Sequence, residues 1–124
     1  MVNASRPTAV AAAQAAAAKQ AADIAILDVR DLIVITDYFV IATGSTERQV
    51  KTIVDEVERV LREAHDVKPV RREGDADARW VLLDYIDVVV HVFAEAEREY
   101  YDLERLWADA PRVDWEPQGV ASSG

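Results

Sequence analysis

Arg79 to Trp107 reads RWVLLDYIDVVVHVFAEAEREYYDLERLW, and the first half of this stretch decides the fold. Trp80 to Leu83 is an apolar run that breaks at Asp84-Tyr85-Ile86-Asp87. A β-branched run then continues from Val88 to Phe93. Two such runs around turn-forming aspartates predict the strands of a hairpin. From Glu95 the period changes: Tyr100, Leu103 and Leu106-Trp107 recur at helical spacing, so a helix is expected to close the unit.

Side chains alternate along a strand. Trp80, Leu82 and Asp84 therefore share one face, and Val81, Leu83 and Tyr85 the other. On the second strand Val88, Val90 and Val92 oppose Val89, His91 and Phe93. The all-valine face must be core. A face carrying Trp, Leu, Asp, His and Phe is too apolar for plain solvent and too polar for core. Such a mixture suits a protein partner, where aromatic anchors dominate the binding energy. Whether Trp80 and His91 share that face depends on the register of the hairpin. Tyr100 and Tyr101 are neighbours on a helix and turn apart, so one of them is expected at the surface.

The string W-V-L-L-D-Y-x-D-V-V-V-H-V-F, followed by R-x-Y-Y-D-L-E-R-L-W, resembles the ribosomal silencing factor (RsfS, or Iojap-like) family. ITDYFVIATGS at Ile35 to Ser45 and RREG at Arg71 to Gly74 fit the same family in the same order, and the similarity runs from Ala22 to Pro111. The resemblance implies a factor without catalytic activity that binds the large ribosomal subunit through its ribosomal protein number fourteen. It implies steric blocking of the small subunit, translation being repressed as a result, and a fold similar to that of nucleotidyltransferases. One position departs from the pattern. Ile86 stands where the family commonly has Gly in D-Y-G-D, and a β-branched residue resists the positive φ that Gly allows.

The surface expected to dock is Trp80, Leu82, Asp84, His91, Phe93 and Tyr101, with Arg71 and Arg72 as rim contacts. Plainer roles stand beside these. Trp80 also fits a core position, and Asp84 a turn residue accepting backbone hydrogen bonds. His91, flanked by valines, fits a structural histidine as well as an interface one. Arg71 and Arg72 fit charges that keep an exposed strand edge from pairing with itself. A homodimer through the apolar face is a further arrangement the pattern allows.

With 124 residues, 51% of them hydrophobic, the chain is expected to be one α/β domain at residues 8–111, between flexible ends at 1–7 and 112–124. There is no cysteine, so disulfides and thiolate metal sites are excluded, and no cofactor or metal is expected. The apolar runs are far below a membrane span, and the alanine tract lacks the basic start of a signal peptide, so a cytoplasmic address and no membrane partner are expected. The net charge of −9 disfavours direct nucleic-acid recognition, which needs clustered Lys and Arg.

Thr8 to Ala22 is almost all alanine, glutamine and lysine, which predicts a helix packed lightly on the surface. Ile24 to Val29 and Phe39 to Ala42 predict strands, the second buried on both faces. Gly44-Ser45-Thr46 opens a helix: Thr46-x-x-Gln49 has capping-box spacing, and Val50, Ile53, Val54, Val57 and Leu61 form its apolar stripe. Glu47–Lys51, Asp55–Arg59 and Glu58–Arg62 are expected ion pairs on its solvated face. Lys68 to Arg72 predicts an edge strand, because Pro69 cannot donate to a central ladder. The result is a mixed β-sheet with helices packed against it, in agreement with the nucleotidyltransferase-like topology that the family resemblance implies.

That topology supplies the rival function, a nucleotide-binding enzyme. It would hold phosphate at Gly44-Ser45 and two metal ions on paired carboxylates inside a strand. Asp75 and Asp77 have the spacing but lie in a turn, Asp84 and Asp87 flank another, and no D-x-D follows Gly44 within a strand. His65 at a helix end is explained by the helix dipole, and no residue trio suggests nucleophilic catalysis.

Overall fold

The computed structural model describes residues 5–74, 79–95 and 108–115. In chain order these form α1 (Ser5–Ala18), β1 (Ala22–Asp28), β2 (Tyr38–Gly44), α2 (Glu47–His65), β3 (Arg71–Gly74), β4 (Trp80–Asp84) and β5 (Val88–Ala94). The strands lie in one sheet in the order β1-β2-β5-β4-β3. β2 and β5 pair in parallel at its centre, and the other three pairings are antiparallel. The expected mixed α/β sheet is the architecture observed. The closing helix expected beyond Glu95, the Asp75–Asp77 turn and Tyr101 lie outside the described residues.

β2 and β5 occupy the centre because their sequences can be buried on both sides. Six of the seven residues of each are buried. One face, formed by Ile26, Val40, Val81, Leu83, Val88, Val90 and Val92, packs against α1 and α2 in a single cluster. α2 contributes the stripe Val50, Ile53, Val54, Val57 and Leu61, all fully buried. Among the described residues no helix is long and apolar enough to cross a membrane.

α1 overturns the expectation of a lightly packed surface helix. Ala9, Ala12, Ala13, Ala15 and Ala16 are buried in the main core cluster. Methyl side chains present little area each, but they let the helix backbone approach α2 and the sheet closely, and close packing gives the contact back. The helix also starts earlier than expected, at Ser5, whose hydroxyl donates to Asp37 Oδ2 at 2.7 Å. At its other end Gln20 is in the left-handed region (φ 63°), Gln20 N–H donates to Ala17 O, and Ala21 N–H donates to Ala16 O. This is the Schellman arrangement, which satisfies the last helical carbonyls.

The capping at α2 is half as expected. Thr46 is the N-cap and its Oγ1 accepts from Gln49 N–H at 3.0 Å. The Gln49 side chain, however, reaches one residue further back: Oε1 accepts from Ser45 N–H and Ser45 Oγ, while Nε2 donates to Lys19 O and Gln20 O. One amide thus joins the start of α2 to the end of α1. The surface ion pairs also differ. Arg59 pairs with Glu56 and Glu63, and Glu58 pairs with Arg72 on β3. Each such exposed pair stabilises by a few tenths of a kcal/mol at most.

Two boundaries shift. β3 is an edge strand as expected but runs Arg71–Gly74, leaving Pro69 outside the ladder. Residues 112–115, expected as part of a flexible tail, continue from Pro111 antiparallel to β1. Asp28 N–H donates to Pro111 O, Val113 N–H donates to Ile26 O, and Leu27 bridges Arg112. Val113 is buried and Trp115 packs on the main cluster, with its carbonyl accepting from Gln14 Nε2. Trp115 is therefore an anchor for a segment that covers the β1 edge.

Candidate functional site

The hairpin register places Trp80 opposite Phe93, Leu82 opposite His91 and Asp84 opposite Val89. All of the mixed residues on β4 and β5 therefore share one face, the one turned away from α1 and α2. β3 adds Arg71 opposite Asp84 and Glu73 opposite Leu82. On the far side of β5, the parallel register sets Phe39 beside Val89 and Ile41 beside His91.

These residues differ greatly in depth. Phe93 and Ile41 are fully buried in a second cluster with Leu27, Val29 and Ala110, and His91 is also buried. Trp80, Leu82 and Asp84 are half-exposed. The expectation that His91 and Phe93 lie at the surface is thereby corrected. They sit beneath it, with Trp80 stacked on Phe93, Phe39 against His91, and Leu27, Val29, Ile41 and Ala110 clustered around Phe93. Arg72 is corrected as well. Alternation turns it to the helix side, where its guanidinium meets Glu58 at 2.6 Å, while Arg71 stays on the Trp80 side.

The buried aromatics hold the exposed ones. Trp80 stacks on Phe93 with centroids 4.9 Å apart, and Phe93 lies nearly parallel to His91 at 6.1 Å. Phe39 meets His91 edge-on at 5.2 Å. The Trp80 Nε1–H donates to His91 Nδ1 at 3.2 Å. That bond requires Nδ1 to be unprotonated and so assigns the imidazole proton to Nε2. Burial pushes the His91 pKa down to about 4, which keeps the ring neutral at ordinary pH. Next to this stack an open pocket of about 230 Å³ is lined by Glu73, Gly74, Trp80 and Leu82.

Asp84 has two structural duties. Its Oδ1 accepts from Ile86 N–H at 2.8 Å, and Oδ2 lies 3.6 Å from the Arg71 guanidinium, which also pairs with Glu73. Phe39 and Glu73 were not among the residues expected at this face. Their places follow from strand pairings between distant segments, and only the register brings them to this face.

The geometry at Gly44-Ser45 has a structural explanation. A Cβ on Gly44 would lie 2.9 Å from both Val50 N and Val50 Cγ2, so the glycine lets α2 approach β2. The Ser45 N–H that would face a phosphate already donates to Gln49. Among the described residues no three His, Cys, Asp or Glu side chains gather to hold a metal ion.

Fold and face together define a small α/β protein in which a buried aromatic stack supports the ledge formed by Trp80 and Leu82. The family model described as ribosomal silencing factor during starvation matches residues 2–123. A ribosomal silencing factor of Halalkalibacterium halodurans is 45% identical over 104 residues, covering 84% of this chain and 86% of that protein. A crystal structure of a Chromobacterium violaceum protein superposes with a TM-score of 0.79 at 34% identity, covering 96% of this chain and 98% of that one. A mouse relative named mitochondrial assembly of ribosomal large subunit protein 1 is 30% identical over 91 residues, 72% of this chain and 40% of its own length. The chain belongs to the ribosomal silencing factor family.

Proposed function

We propose that this protein binds the large ribosomal subunit through its ribosomal protein number fourteen and sterically prevents the small subunit from joining, without catalysis and in the cytoplasm. Family membership supports the ribosome as target, and the mouse relative is named for the large subunit. The observation that carries the docking site is the half-exposed pair Trp80 and Leu82 beside an open pocket, fixed from below by Phe93 and His91. A rigid aromatic anchor loses little conformational freedom on binding, which is why such residues dominate interface energies. Tyr101 belongs to the proposed surface from its sequence position, and Arg71 to its rim. The overall charge of −9 favours a basic protein component over RNA as the contact.

The test is co-sedimentation with separated subunits, followed by addition of the complementary subunit. The wild type should cofractionate with the large subunit and lower the yield of joined ribosomes. Trp80→Ala should weaken binding by about thirtyfold or more, the effect of losing an anchor worth about 2 kcal/mol. Leu82→Lys should do the same by setting a cation against a basic partner. Circular dichroism must show both variants folded. Undiminished binding by both would remove this face from the interface. Asp84→Lys is a poorer probe, since it also breaks the bond to Ile86 N–H.

A further inference from the structure

Two loops at the end of the sheet away from Trp80 carry apolar side chains that the fold does not use. Val34 is wholly exposed (100%), Ile35 is 77% exposed, Ile86 56% and Leu32 45%. Single exposed apolar residues are ordinary on a protein surface. Here four of them stand on loops that are tied together. Thr36 Oγ1 donates to Ile86 O at 3.2 Å, and the N–H groups of Asp37 and Tyr38 both donate to Asp87 O, at 2.8 and 3.1 Å. Ile86 is moreover held at φ 74°, where a β-branched residue is strained. The turn presents a large apolar side chain to solvent in a backbone conformation that would suit glycine better.

We infer that this tip, Val34, Ile35 and Ile86, is a second docking point, and that its occupant is a basic protein surface bearing an apolar spot. The charges around it select that occupant. Asp31, Asp84 and Asp87 flank the apolar side chains, and the nearby Arg30 is held by Asp28 in a two-pronged pair at 2.7 and 2.9 Å. Arg71 lies beside Asp84 but pairs with Glu73 too. An acidic collar repels phosphate backbones and anionic lipid, and a second copy of the chain would set acid against acid across a two-fold axis. The inference rests on the reading that a ribosomal protein docks at the Trp80 ledge. β4 separates ledge and tip by about 14 Å at roughly 3.4 Å per residue. A standard interface of about 800 Å² per partner, a disc roughly 30 Å across, covers both.

The experiment measures affinity for purified large subunits with the wild type, with Trp80→Ala, and with a variant combining Val34→Ser, Ile35→Ser and Ile86→Gly. The tip variant should bind about tenfold more weakly or worse, with a melting temperature equal to or above that of the wild type. Loss of binding by Trp80→Ala together with full binding by the tip variant overturns the tip and leaves the ledge standing. A wild type that ignores the large subunit overturns both. Two further outcomes would give the tip to another occupant and also overturn the inference. One is wild-type binding to phosphatidylglycerol–phosphatidylcholine vesicles that the tip variant loses. The other is a dimer in sedimentation velocity that the tip variant dissolves.

Discussion

The two faces of the sheet obey the same alternation and are built in different ways. On the helix side, Val81, Leu83, Val88, Val90 and Val92 form a uniform aliphatic layer, all of it buried beneath α1 and α2. The opposite side is graded. Phe93, Ile41 and His91 lie buried at the centre, and toward β3 the same layer rises through Trp80 to Leu82 and Asp84, which are half-exposed. An aliphatic layer needs only volume and shape to be satisfied. The aromatic layer adds directed contacts, a ring stack and one N–H···N bond, that fix the orientation of a side chain partly in solvent. The contrast separates residues that hold the fold from residues that the fold holds out.

Neighbouring leucines give the sharpest way to break that contrast. Leu83 is fully buried on the helix side, and Leu82 is half-exposed on the other. Leu83→Ala should cost about 3 kcal/mol in denaturant unfolding, the sum of lost transfer energy and a residual cavity. Leu82→Ala should cost under about 1 kcal/mol and act on ribosome binding instead. Equal stability losses for the two would mean that the second face is ordinary core.

His91 gives a pH-dependent form of the same comparison, since the helix-side layer contains nothing that titrates near neutrality. Its folded pKa is depressed to about 4 from the ordinary 6.5, because burial disfavours the charged ring. The unfolded chain therefore binds the proton first as pH falls. The stabilisation from the neutral ring is complete above about pH 7 and is lost progressively between 6.5 and 4. Between pH 7 and pH 5 the loss should be about 2 kcal/mol at this site. Carboxylates titrate in the lower part of that range too, so the quantity to measure is the difference between wild type and His91→Phe. A difference that stays constant over this range would show that His91 takes up its proton without cost, and that Trp80 is not held through Nδ1.

Much of this was legible from residue patterns. Alternation in 80–93 separated the two faces of the hairpin, because a period of two is a local property of a strand. The stripe from Val50 to Leu61 likewise marked α2. Depth was not legible. Phe93 is buried because Leu27, Val29, Ile41 and Trp80 close around it, and those neighbours are brought there by pairings between distant segments. Long-range pairing likewise sent Arg72 to Glu58 and gave Trp115 its place beside β1. α1 was misjudged for a different reason. Small side chains were taken to mean little burial, whereas in packing they determine how close two backbones come.

The smallest expected effect concerns the turn between β4 and β5, and it bears on what the tip is for. Ile86 sits at φ 74° between Tyr85 and Asp87, whose N–H donates back to Tyr85 O at 2.9 Å, the hydrogen bond of a γ-turn. Asp84 and Thr36 hold the same turn from either side. Positive φ costs a residue with a Cβ about 1–2 kcal/mol. Glycine removes that strain but has about 1 kcal/mol more conformational entropy to lose on folding. Ile86→Gly should therefore leave stability unchanged or raise it by up to about 1 kcal/mol. Ile86→Ala, which keeps the strained Cβ without the apolar bulk, should stay within about 0.5 kcal/mol of the wild type, as an exposed substitution does. Thermal unfolding of the three proteins in one buffer reads both differences. If glycine destabilises by more than about 1 kcal/mol, the isoleucine side chain is holding the loops together. The tip would then belong to the fold, like the valines of the helix side, and would lose its claim to be a surface kept for a partner.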